Sequence, residues 1–500
     1  MSASREKKQR QGAERTGKVD QTQAAYKKKV RTYSVIAAVL AVAVVLLLVY
    51  GSGVFEKGKT AATVGGEKLT VSELSYYYYG GLRYTYARYG FFDTTKPDAD
   101  QIYNSEENQT YRDFFLEDAL SNAQRTRAVY DKAIAAGYKD ADVKSQVDDQ
   151  ISSLKSAVAA SGYTSYKAYL IATYGQYMTP AVFEKLLTRE LVANTYYSDL
   201  YQEKQDALTE EDLQKYYEEN ADSVDTFEYS YLYFKADTVS SSDNDGNERT
   251  EDEIAKLKEE AMAAVKEKAD LALAQYENGT DISKIIDARE PTTSADHTSV
   301  VGTDSISSIY REDLLKLDVD GAAVVEYDDY GYYLVIYHGR HLEESSTADI
   351  RQIYVAAEVA EDADEPTDEA WAAAKAKAEE ILAAYESGEN TADAFGALAT
   401  ENGMSSAGLS TAVTQANLAD DTRGEWVFAE DRAEGDVTVL KFESGSYHGY
   451  YVLYFQGVND PTWKITVRST LTTDAMTEWM DGFLNDYPTE LASGADLLGR

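Results

Sequence analysis

The chain has 500 residues, 87 Asp and Glu against 48 Lys and Arg, and a formal net charge of −39. It contains no cysteine, which excludes disulfides and a lipid-bearing cysteine, so apolar cores alone must hold its domains. Beyond Arg31 there are 84 acidic and 38 basic residues, a field that repels nucleic acid and anionic lipid alike.

The leader has the opposite sign. Up to Arg31 there are 10 basic residues against 3 acidic ones, and residues 33–55 then carry no charge, with a wholly apolar centre from Val35 to Val49. About 20 such residues span a bilayer as a helix. The basic flank predicts a cytoplasmic tail over 1–32 and a single-pass transmembrane helix over 33–55, with the bulk outside the cell membrane. A cleaved signal peptide ending at Gly51-Ser52-Gly53 is the competing reading; the long basic leader and the missing Ala-x-Ala site favour an uncleaved anchor.

The first exported stretch reads as mostly helical. A short strand at Ala62-Thr63-Val64 and a turn at Gly65-Gly66 lead to Thr70-Val71-Ser72-Glu73, a capping box that opens a helix. Apolar residues at helical spacing continue to about residue 205, with Pro180 at a tolerated first helical position. Thr209-Glu210-Glu211-Asp212 opens a further helix ending near Asn220.

A segment then occurs twice. A strand ending in Tyr231-Leu232-Tyr233-Phe234 is followed by a polar loop, an Ala-rich helix closing on Tyr276-Glu277-Asn278-Gly279, a short helix, and a strand from Gly331 to Tyr337. The same order returns as Arg351 to Val355, an Ala-rich helix closing on Tyr385-Glu386-Ser387-Gly388, a short helix around Phe395, and a strand from Gly449 to Phe455. A period of roughly 110 to 120 residues suits a small domain in tandem and is too long for a solenoid.

Val64 to Thr70, the helical region, and Leu208 to Asn220 leading into a strand together resemble the SurA and PrsA type of exported foldase. The resemblance implies an α+β protein: a helical chaperone domain (56–225), two parvulin-like peptidyl-prolyl isomerase domains (226–345 and 346–460), and a C-terminal helix (461–500) that returns to the helical domain. In that family a histidine near the start of the first-strand motif and another in the last strand bond to each other behind an apolar proline pocket. Here the matching positions read Gln352 and Tyr451 in the second repeat, and Ser230 or Tyr231 and Tyr333 in the first. Tyr354, Phe395, Trp426 and Phe428 are the aromatic candidates for a proline pocket in the second repeat; the first repeat lacks such a set.

Four histidines remain. His338 and His341 read as lying beyond a terminal strand, His297 as a loop residue, and His448 as a solvated turn residue facing away from Tyr451. Their scatter gives no metal spacing, and no phosphate loop, nucleophile elbow or zinc motif appears, so neither metal nor cofactor is expected. The 41 tyrosines suit either loose recognition of extended peptide or the filling of interfaces. Unfolded or nascent exported polypeptides are the expected partners. Three functions stay open: a chaperone with weak or lost isomerase activity, an isomerase with a non-histidine site, and an envelope scaffold.

Overall fold

The computed structural model describes residues 39–41, 54–243, 245–287, 295–360, 363, 365–418 and 422–500. The membrane helix expected over 33–55 lies almost wholly outside them. No helix among the described residues is long and apolar enough to cross a membrane. The protein is of mixed helix and strand, and the chain divides into two compact units: one takes it up to Lys204 together with Thr473–Arg500, and the other is Gln205–Thr472.

In the first unit, β1 (Thr60–Val64) pairs with β2 (Glu67–Thr70), and the capping box of Thr70 and Glu73 starts α1 (Val71–Gly80). After α2 (Leu82–Tyr89), a small hairpin of β3 (Ile102–Asn104) and β4 (Gln109–Thr110) leads into α3 (Tyr111–Ala136). Helices α4 (Lys144–Ala160), α5 (Tyr166–Tyr174) and α6 (Pro180–Asp206) complete the helical part. Tyr77 and Tyr78 are core residues packed with Leu74, Phe115 and Leu186. The Tyr78 hydroxyl donates to Asp98 at 2.6 Å, and Arg83 neutralises that buried carboxylate, so the polar tip of the ring costs little.

The second unit opens with α7 (Glu210–Val224), capped by Thr209 and Asp212; Asn220 leaves helical geometry inside it, where the sequence placed the helix end. Strand β5 (Thr226–Lys235) follows, then α8 (Glu251–Glu277), α9 (Ile282–Asp287), β6 (Ala295–Val301), α10 (Arg311–Leu314), β7 (Ala322–Tyr327) and β8 (Gly331–His341). The second run is β9 (Ser346–Ala356), α11 (Asp368–Glu386), α12 (Ala392–Glu401), β10 (Leu409–Val413), α13 (Thr422–Val427), β11 (Val437–Ser444) and β12 (Tyr447–Pro461). Both runs form a four-stranded antiparallel sheet in the same order, β6-β5-β8-β7 and β10-β9-β12-β11.

The likeness extends to the register. Tyr233 lies opposite Tyr333 as Tyr354 lies opposite Tyr451, and the last strand of each sheet bulges near its end, at His338-Gly339 and at Gln456-Gly457. Both bulge glycines have positive φ, +127° and +150°, which other residues resist. One face of each sheet carries the Ala-rich helix, whose buried residues fall at helical spacing: Met262, Val265, Ala269 and Ala272 in α8, and Ala374, Ala378, Ile381 and Tyr385 in α11.

The chain ends with α14 (Thr462–Leu484) and β13 (Thr489–Leu491). Strand β13 pairs with β1, and Ala495 and Leu498 are buried in the first unit's core. The sequence anticipated the helix and missed the strand, because three residues are too few to show an alternating pattern.

Candidate functional site

Residues opposite each other in a ladder share a sheet face, and so do residues two apart along a strand. Gln352, Tyr354, Tyr451 and Leu453 therefore stand together on the face away from α11. Tyr354 and Tyr451 have ring centres 5.0 Å apart, and Phe442 of β11 adds an edge contact to Tyr451 at 5.1 Å. Burial first, then Tyr451, pushes the Tyr354 hydroxyl pKa up, so it remains a donor; it bonds to the His448 carbonyl at 2.8 Å.

A residue the sequence reading passed over lies at the centre. Arg423, from α13, donates to Gln352 Oε1 at 3.0 Å, and its guanidinium carbon lies 4.2 Å from the centre of the Tyr451 ring. Gln352 Nε2 in turn donates to Ser410 Oγ at 3.2 Å. The link between the two candidate catalytic positions thus runs through a cation stacked on a π face. Only knowledge that α13 covers this face of the sheet identifies Arg423.

The proposed pocket set does not converge. Phe395, on α12, is fully buried on the opposite face, against Tyr385 of α11 and Tyr454 of β12. Trp426 and Phe428 share the face of Gln352 but pack toward the other end of the strands, with Ile350, Leu418 and Phe455, and Arg432 covers the Trp426 ring at 4.0 Å. Only Tyr354 of the four touches the Tyr451 ring.

In the first sheet the same face carries Tyr231, Tyr233 and Tyr333, so Tyr231 rather than Ser230 occupies the place in the register that Gln352 has in the second. Contrary to the sequence expectation, this face is the richer in aromatics. Tyr233 stacks on Tyr333 at 4.6 Å, and Tyr310, Tyr231 and Tyr327 approach Tyr333 at 5.2, 6.0 and 6.1 Å. Burial, reinforced by neighbouring tyrosines, raises the pKa of Tyr233 and Tyr333, so their hydroxyls are neutral donors at physiological pH. A separate groove of about 690 Å³ runs beside α8, where Lys258 and Lys266 pair with Asp329 and Asp270; it holds none of these rings.

The histidines also differ from expectation. His338 and His341 lie within β8 and His297 within β6, because both strands run longer than their apolar cores. His448 is 7% exposed beneath Trp371, not a solvated turn residue, and its Nδ1 is buried without a hydrogen-bond partner.

No protein-family model matches the chain. No curated protein matches it either. Among solved structures it is similar to the PrsA peptidylprolyl isomerase of Bacillus cereus, at 15% identity over 49% of this chain and 78% of that one, with a TM-score of 0.20. The PrsA isomerase of Bacillus anthracis matches at 14% identity, 45% and 80% coverage and a TM-score of 0.18. The foldase PrsA of Streptococcus pneumoniae matches at 18% identity, 44% and 68% coverage and a TM-score of 0.16. These scores are too low to argue from, so the functional reading rests on this chain's own residues.

Proposed function

We propose that the chain is a membrane-anchored extracytoplasmic chaperone of the peptidyl-prolyl isomerase family, which binds unfolded exported polypeptides and has weak or no isomerase activity. In this reading residues 56–225 form the chaperone domain, 226–345 and 346–460 the parvulin-like domains, and 461–500 the returning helix. The observation that carries it is the face shared by the two sheets, which presents tyrosine rings and hydroxyl donors but no histidine pair.

Prolyl isomerisation breaks no bond, and its barrier of about 20 kcal/mol falls when the amide is desolvated and twisted. A guanidinium between Gln352 and Tyr451 puts a full charge where an apolar proline ring needs to be dry. Tyrosine rings offer large contact area at low entropy cost, which suits loose holding of extended peptide.

The test is a pair of assays on the whole chain. Aggregation of an unfolded client is expected to slow at near-stoichiometric ratios without ATP, while isomerisation of a proline peptide stays close to the uncatalysed rate. Turnover like that of a histidine-bearing parvulin would establish a non-histidine isomerase instead, and failure to hold several unrelated clients would favour the scaffold.

A further inference from the structure

Ser230 sits in the middle strand β5 with 2% of its surface exposed, on the face opposite the tyrosines. Two imidazole nitrogens meet its hydroxyl oxygen: His338 Nε2 at 2.8 Å and His297 Nδ1 at 3.2 Å. His297 stands directly opposite Ser230 in the β5–β6 ladder. His338 is the unpaired residue of the β8 bulge, since Glu228 pairs with Gly339 and the next residue, Tyr229, pairs with Tyr337. Bulges re-aim side chains in this way.

The hydroxyl has one proton and can satisfy only one of the nitrogens as donor; the other imidazole must give its N–H to the oxygen. The two imidazoles converge on one point, with one nitrogen 2.8 Å and the other 3.2 Å from the same oxygen. With metal–nitrogen bonds of about 2.0–2.1 Å, neighbouring ligand atoms lie about 3.0–3.4 Å apart. The second nitrogen of His338, Nδ1, lies 3.9 Å from the Asp320 carboxylate, beyond hydrogen-bond reach but near enough to favour a positive charge at the imidazole pair. His297 is solvent-exposed, which gives an ion access.

We propose that His297, His338 and Ser230 form a binding site for a borderline divalent transition-metal ion such as Zn²⁺, with the two imidazoles as principal ligands and water completing the shell. The Asp320 carboxylate stands beside His338, and Glu228 pairs with Gly339, the next residue of the bulge. Those two carboxylates also supply a negative field for a cation. Among the described residues no group of three or more His, Cys, Asp or Glu side chains is arranged to hold a metal. Two imidazoles and a hydroxyl make a weaker site than a four-ligand structural zinc centre, one suited to fastening the edge strand β6 to β8 across β5. The second sheet has Arg351, Leu409 and Gln456 at the corresponding places and offers no such ligands. The inference is independent of client binding.

The experiment is calorimetric titration of the chelator-stripped full chain with ZnCl₂ at neutral pH, in excess Mg²⁺ to occupy oxygen-only sites on this acidic surface. One saturable equivalent is expected. His297→Gln and His338→Gln should each weaken it at least tenfold, Asp320→Asn should weaken it less than either, and His341→Gln should leave it unchanged. Because His297 is exposed, its variant keeps the fold, which circular dichroism verifies. Absence of a saturable Zn²⁺ equivalent, or binding that survives both histidine substitutions, overturns the assignment.

Discussion

The first sheet and the second are built on one register and carry opposite chemistry on their two faces. Ser230 and Arg351 occupy the same place in the first strand, and His338 and Gln456 the same place in the bulge of the last, yet only the first sheet gathers imidazoles there. On the other face, Tyr231 with Tyr333 in the first sheet corresponds to Gln352 with Tyr451 in the second, where Arg423 intervenes. A backbone held by its apolar helix-side residues leaves both the bulge and the outer face free to diverge.

The comparison breaks most readily at the shared core. Leu232 and Ile353 are both fully buried under their helices, so Leu232→Ala and Ile353→Ala should each cost about 2–5 kcal/mol in urea unfolding. If only one does so, the two sheets are not energetically equivalent. A subtler pair is Gly331 and Gly449, where an added Cβ would run into the carbonyl oxygens of Phe234 and Val355. Alanine at either site should cost about 1–3 kcal/mol, read from the same unfolding curves.

The outer faces are separated by Tyr333→Ala and Tyr451→Ala. The first removes the ring that stacks on Tyr233 and touches Tyr310, Tyr231 and Tyr327; the second removes contacts to Tyr354 and Phe442. Aromatic pairs are each worth about 0.5–1.5 kcal/mol beyond burial, so client holding should fall several-fold more for Tyr333→Ala. Equal losses in an aggregation assay would mean that the larger tyrosine cluster is only structural. The smallest effect is expected from Arg423→Leu, which removes the charge between Gln352 and Tyr451 and should raise proline-peptide turnover by a few-fold at most. An unchanged rate would show that this face does not receive proline.

The sequence by itself determined the helices, the strand cores and the tandem repeat. Caps such as Thr70 with Glu73, Thr209 with Asp212 and the apolar rows of α8 and α11 act within a few residues, so their signals are local and legible. It also gave the residue types at the strand-motif positions, Gln352 and Tyr451 in the second repeat and Tyr231 and Tyr333 in the first. The tertiary structure decided everything that depends on face and register. A bulge turns His338 toward Ser230, the covering helix α13 brings Arg423 onto Tyr451, Phe395 passes to the far side of its sheet, and β13 closes on a strand more than 400 residues away. A shift of one residue in a strand reverses every side chain, and pairing between distant strands sets that shift, so local patterns carry no record of it.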